Sequence, residues 1–178
     1  MKYISILRGI NVSGQKKIKM IDIKALYESL GFCKVTTYIQ SGNVIFESDE
    51  EDRTALISNI ENAIEQMYEF HVPVDLRTKS ELEQIMQKCP YEEANVEENG
   101  TKVLVTFLRS TPLKERVDEL LKYVKHPERL VVDGTHIYLY CPDGHGKTKL
   151  SNTFLEKKLS TTATTRNFKS VKKLYELS

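Results

Sequence analysis

Two groups of residues in this chain carry side-chain types suited to chemistry, at spacings that a fold can close. The first is Arg8, Asn11, Ser13, Lys16 and Lys17, answered further along by Gln40, Ser41 and Asn43. A guanidinium, amide donors, glycine-flanked backbone N–H groups and a helix start suit an anion or a planar ligand bearing an amide. Asn and Ser in turns also bond their own backbone, and Gln40 could simply brace the loop it faces, so a structural reading stands beside the binding one. The second group is Gly146, Lys147, Thr148, Lys149 and Asn152 with Thr165, Arg166 and Asn167. Backbone N–H groups at a helix start, with lysines and an arginine close by, could hold a phosphate without cleaving it. The plainer reading is that Asn152 and Thr165 cap helices while the lysines solvate an outer face.

Several familiar chemistries are absent from the pattern. Gly146-Lys147-Thr148 invites comparison with a phosphate-binding loop, but Cys141 stands where G-x-x-x-x-G-K-[ST] needs glycine, and the element order provides no parallel sheet. Cys141, Asp143 and His145 are close in sequence, yet nothing nearby would depress a thiol pKa or supply an oxyanion site, and a small core residue is the better reading of Cys141. The cysteines (Cys33, Cys89, Cys141) are three and far apart, which suits reduced thiols. The histidines (His71, His126, His136, His145) show no metal-ligand spacing either. Neither a metal nor a cofactor is expected.

The elements that must position these residues follow from periodicity. Tyr3 to Leu7 reads as a central strand. Met20, Ile23, Leu26, Tyr27 and Leu30 share a helix face, and Gly31 stands where a glycine closes a helix. Lys34 to Phe46 is a β-hairpin around Gln40-Ser41-Gly42-Asn43. A helix from about Asp52 to Phe70 turns Leu56, Ile60, Ala63, Ile64 and Met67 inward, and a strand covers Val72 to Arg77. After a short helix, Ser80 to Lys88, the plan repeats. Lys102 to Leu108 is a strand, and Thr111-Pro112 opens a helix carrying Leu113, Val117, Leu120, Leu121 and Val124. Asp133-Gly134 joins strands at 129–132 and 136–141. Lys149 to Leu159 is helical, a short closing strand follows at Ala163 to Thr165, and Asn167 caps a last helix. The expected fold is α+β: two tandem ferredoxin-like (β-α-β-β-α-β) units with antiparallel sheets and a C-terminal helix.

In such a unit, with strand order 4-1-3-2, the end of strand 1, the start of helix 1 and the hairpin tip share one edge of the sheet, which gathers the first group. The same rule puts the loop before Lys149 and the segment 164–167 on the opposite edge of the second unit. The domain reading is a first unit plus connecting helix over residues 1–90, an acidic linker over 91–101, and a basic second unit over 102–178.

Charge follows that division. Residues 1–90 hold 11 basic and 13 acidic side chains, 91–100 add four glutamates, and 101–178 hold 15 basic against 8 acidic. A basic second half favours a phosphate-bearing small molecule or RNA, and Tyr138 and Tyr140, alternating on one strand, could stack bases if their sheet face is open. No apolar run approaches the ~20 residues of a membrane span, and the chain enters a strand pattern without a signal segment, so a cytoplasmic protein away from membranes is expected.

Leu7-Arg8-Gly9-Ile10-Asn11-Val12, Thr37 to Val44, Lys149-Leu150-Ser151-Asn152 and Thr164-Thr165-Arg166-Asn167 together resemble the bacterial family catalogued as domain of unknown function 1697, over nearly the full length. Family members often carry Trp where this chain has Phe168. The resemblance implies a small cytoplasmic α+β protein and no activity. Three functional readings remain: a non-catalytic module binding a phosphate-bearing ligand (nucleotide or RNA) through the basic half, an enzyme acting on a small polar substrate at the Arg8/Gln40/Asn43 edge, and a structural or self-association module.

Overall fold

The structure, a computed structural model, describes the backbone of residues 1–178 and every side chain except that of Glu97. The chain divides into two compact units, Met1–Glu83 with Leu174–Ser178, and Gln84–Lys173.

The first unit runs β1 (Lys2–Leu7), α1 (Met20–Ser29), β2 (Cys33–Tyr38), β3 (Asn43–Glu47), α2 (Arg53–Tyr68) and β4 (Val74–Arg77). Its sheet is antiparallel in the order β2-β3-β1-β4. Alternation sends Tyr3, Leu7, Val44, Phe46, Val74 and Leu76 to one face, where they join Ile23, Leu26 and Tyr27 of α1 and Leu56, Ile60 and Ile64 of α2. Phe46 anchors this core, its ring stacked 4.4 Å from Phe32 and edge-on to Tyr27 at 5.4 Å. Ser5 shares that face, and its Oγ lies 2.6 Å from the Tyr27 hydroxyl, so two buried polar groups satisfy each other. Helix α1 closes as Gly31 predicts: with Gly31 at φ +84°, its N–H donates to Glu28 O and that of Phe32 to Tyr27 O, the paired bonds of a Schellman end.

A helix α3 (Lys79–Gln87) leads into the second unit, which contains β5 (Val103–Leu108), α4 (Lys114–Leu121), β6 (Arg129–Asp133), β7 (His136–Tyr140), α5 (Asn152–Leu159) and β8 (Ala163–Asn167), followed by α6 (Phe168–Leu177). The second sheet has the order β6-β7-β5-β8, the same plan again. The two units are therefore tandem ferredoxin-like folds. The repeat extends to single bonds. Leu7 N donates to Gly42 O and Leu108 N to Thr135 O, each at 2.9 Å, tying the end of the central strand to the hairpin tip. Glu61 of α2 accepts from Val74 N, and Glu156 of α5 accepts from Ala163 N. The segment 91–101, rich in glutamate, lies within the second unit, where Glu92–Asn95 forms a 3-10 turn and Tyr91 and Ala94 are buried.

Local expectations shift in three places. Met67, placed inward by helical spacing, is 55% exposed in the last turn of α2, where Tyr68 packs against the core instead. Helix α4 begins at Lys114 behind an extended Leu113 rather than at Pro112, and it ends before Val124. Helix α5 starts at Asn152, because Ser151 is its N-cap and accepts from Phe154 N.

Candidate functional site

The first edge is assembled as the element order requires, and its centre is Asn11. The Asn11 Nδ2 donates to Ile18 O and to Gln40 O, both at 2.8 Å, while Oδ1 accepts from Ile18 N at 2.9 Å. One amide thus closes the loop after β1 upon itself and pins it to the hairpin tip. That geometry carries backbone strain. Of the seven non-glycine residues with positive φ among the described residues, four stand here: Asn11, Ser13, Lys16 and Ile39. Each costs on the order of 1 kcal/mol or more, and such strain tends to collect at functional sites.

The side chains named for this edge divide into braces and free groups. Asn43 is fully buried on the sheet face of Ile6, and its Nδ2 donates to Tyr38 O at 3.0 Å. Its neighbour Ser41 is half-buried, 3.4 Å from that same amide. Lys16 Nζ donates to His71 O at 2.6 Å and lies 5.7 Å from the Phe70 ring centre. Arg8 is half-buried, with its backbone N–H on Pro73 O. By contrast the side chains of Lys17, Gln40 and the adjoining Lys19 are exposed and make no hydrogen bond among the described residues.

These free groups border an open cleft of about 570 Å³, between the loop that ends at Lys19, the first turn of α1 and Gln40, with Tyr68 as a further wall. Lys19 caps α1 without a side-chain bond, leaving the N–H groups of Met20 and Ile21 without partners among the described residues. Asp22, in the same turn, contributes one carboxylate against the two ammonium groups. The Tyr68 hydroxyl is buried with no partner among the described residues, and burial, then the charge of Asp22, raise its pKa. Sequence reasoning did not select Lys19 or Tyr68. The topology contains the signal for Tyr68, because α2 runs back from the far edge and must end beside the start of α1.

At the second edge, β7 and β8 both run antiparallel to β5, so the loop after Cys141 and the end of β8 flank the start of β5. Most of the named side chains serve the chain there. Thr165 Oγ1 donates to Asn152 Oδ1 at 2.6 Å and lies 2.7 Å from Thr106 Oγ1, which ties α5 to the sheet. Asn167 Oδ1 accepts from Ser170 N and caps α6. Thr148 Oγ1 accepts from Leu150 N. Arg166 is only 8% exposed, one Nη donates to Thr165 O, and burial lowers its pKa to about 10. Gly146 and Lys147 lie in or beside a 3-10 turn, and Lys147 and Lys149 are exposed.

Cys141 is buried, and burial drives its thiol up to about 11, while burial lowers His145, so the pair rests as neutral thiol and neutral imidazole. Tyr138 is closed to solvent, and half-buried Tyr140 has an arginine over its ring. Tyr138 is 1% exposed with its hydroxyl on Ile85 O, and the Arg129 guanidinium sits 4.4 Å from the Tyr140 centroid and 4.7 Å from that of Tyr91 while ion-paired to Glu93. Among the described residues no group of three or more His, Cys, Asp or Glu is placed to hold a metal ion, and no helix is long and apolar enough to cross a membrane.

A family described as "Protein of unknown function (DUF1697)" matches residues 1–138. The chain belongs to that family. A solved member of the same fold is the conserved bacterial protein SP0830 from Streptococcus pneumoniae, 22% identical, with a TM-score of 0.76 over 99% of this chain and 97% of its own. At that identity the likeness establishes the fold and nothing finer. No curated protein matches the chain.

Proposed function

We propose that this DUF1697 protein is a non-catalytic binding module whose first-edge cleft takes a small phosphate-bearing molecule. The observation that carries the reading is the convergence, on one open cleft, of two unengaged lysines and the uncapped start of α1. Backbone N–H groups at a helix start, with the helix dipole behind them, favour an anion, and the ammonium groups add charge-assisted bonds. The Gln40 amide, held at the rim by its own carbonyl bond to Asn11, suits a polar group on the ligand body. The second edge supports the same chemistry less well, since its hydroxyls and amides are committed to caps and ties. A reaction at the Arg8/Gln40/Asn43 edge has less support again, since Asn43 lies on the buried face.

The test is a titration of the ¹⁵N-labelled protein with adenosine monophosphate and, separately, inorganic phosphate. Amide shifts confined to residues 19–22 and 40 are expected. Lys17→Ala with Lys19→Ala should weaken binding roughly tenfold, the loss of a charge-assisted bond worth about 1.5 kcal/mol. Undisturbed cleft amides in the native protein, or equal binding by the double variant, would remove the reading.

A further inference from the structure

The four edge strands of the two sheets are not treated alike. In the first sheet β2 carries a bulge between Cys33 and Thr36, with Lys34 at φ +51°, so its outer side cannot run straight against another strand. The opposite edge, β4, has its first N–H closed by the Glu61 carboxylate at 2.8 Å. In the second sheet β8 is closed in the same manner by Glu156 at 3.0 Å. Strand β6 has neither device. All five of its residues pair in unbroken register with β7, it contains no proline, and Val131 is 42% exposed.

Asp133 and His136 close the turn of this hairpin, and alternation along an antiparallel ladder then leaves the N–H and C=O of Leu130 and Val132 facing away from β7. No partner for them occurs among the described residues. Such a row of donors and acceptors is a template for one more strand. The sequence of β6, Arg-Leu-Val-Val-Asp, is complementary to itself when reversed. An antiparallel copy centred on Val131 sets Arg129 against the copy's Asp133 at both ends, Leu130 against its Val132, and Val131 against its Val131. Arg129, Val131 and Asp133 share one sheet face; Arg129 is paired to Glu93 and Asp133 lies 3.7 Å from His136, and their side chains are still 45% and 43% exposed, open to a further partner. The centring that pairs the charges is also the one that makes Leu130 and Val132 the hydrogen-bonded positions.

We infer that β6 is a self-association edge: two copies of this chain pair β6 to β6 about a two-fold axis at Val131, joining their second sheets into one. Two short strands bury less than the about 1,200 Å² at the low end of a stable interface, so the dimer is concentration-dependent. This inference is independent of the cleft.

Sedimentation velocity from micromolar to millimolar protein tests it. The native chain should move from the monomer mass toward twice that mass. Val131→Lys and Val131→Glu each set like charges face to face on the axis and should be monomers throughout, folded as judged by circular dichroism. Mixed in equal amounts, the two variants should recover the dimer mass, because only a pairing that brings residue 131 against itself makes them complementary. A native chain that stays monomeric at the highest concentration, a Val131→Lys variant that still dimerises, or a mixture that does not recover would each overturn the inference.

Discussion

Glu81 shows how much one carboxylate can organise. Its Oε2 accepts from Thr78 N at 2.7 Å and from Thr78 Oγ1 at 3.0 Å, while Thr78 Oγ1 accepts from Glu81 N, a capping box at the start of α3. Its Oε1 accepts from Arg53 Nη1 at 2.8 Å. Burial works to raise the carboxyl pKa, but the bonds from Arg53 and Thr78 outweigh it and the folded value lies below the ordinary 4.5. A depressed folded pKa means that the ionised group stabilises the fold above that ordinary value, and that this contribution fades as pH falls toward the depressed one. Glu81→Gln should therefore cost about 1 kcal/mol at neutral pH, the worth of a cap beside a partly exposed ion pair, and markedly less at pH below 4. Urea unfolding at the two pH values measures it, and an equal cost at both would contradict the assignment. Residues also show where sequence reading stops. The strand pattern puts Asn43 on the face away from α1 and α2 and Arg166 on the corresponding face of the second sheet, but alternation alone could not say that those faces are closed to solvent. Both side chains consequently looked more available than they are.

At the scale of elements, the hairpin tip and the loop after β1 meet at Gly42. A Cβ there would lie 2.6 Å from Ile10 Cδ1 and 2.9 Å from Leu7 Cβ, and its φ of +85° disfavours any side chain. Gly42→Ala should destabilise by about 2–4 kcal/mol, the sum of left-handed strain and overpacking. Gly14, at φ +75° with nothing within 4 Å, separates the two effects: Gly14→Ala should cost only about 1 kcal/mol. Thermal melts that ranked the two variants equally would mean that the tip does not press on the loop. The order and type of the eight strands and six α-helices were legible in the sequence, because each has its own apolar period and its own turn residues, whereas the 3-10 turns at Glu92–Asn95 and His145–Lys147, which lack such a period, were not. Nor were two helix starts. Before α5, Thr148 Oγ1 engages Leu150 N and Ser151 engages Phe154 N, so competing side-chain bonds hold 148–151 extended and postpone the helix. The cleft was half legible for a related reason. Asn11 and Gln40 belong to turns that announce themselves, whereas Lys19 and Tyr68 are ordinary helix-end residues whose place at the cleft follows only from where those ends meet.

Over the whole molecule, the duplication is carried by register and by a few residues at matching places. Leu7 and Leu108, Gly42 and Thr135, Glu61 and Glu156 hold equivalent bonds with different neighbours. What element order could not give is that the repeat is not a simple tandem: α6 follows β8 in the second unit, yet its end, Leu174–Ser178, belongs to the first. That end is fastened there. Lys2 Nζ donates to Ser178 O at 2.9 Å, Tyr175 OH donates to a Glu83 carboxylate oxygen at 3.3 Å, and Lys79 Nζ lies 4.8 Å from the Tyr175 ring centre. The exposed contacts contribute little singly, so the weight falls on Leu174, which is fully buried. Leu174→Ala should cost about 2–5 kcal/mol, as cavity-forming substitutions at closed sites do. Ending the chain at Lys173 should cost at least as much, since it removes the same side chain together with the contacts of Tyr175 and Ser178. Hydrogen exchange distinguishes this from a general loosening: amides of β1 and β4 should lose protection in the truncated chain before those of β5 and β7 do. Equal loss in both sheets, or an unchanged Tm, would show that the last turn is an appendage and that the first unit is complete without it.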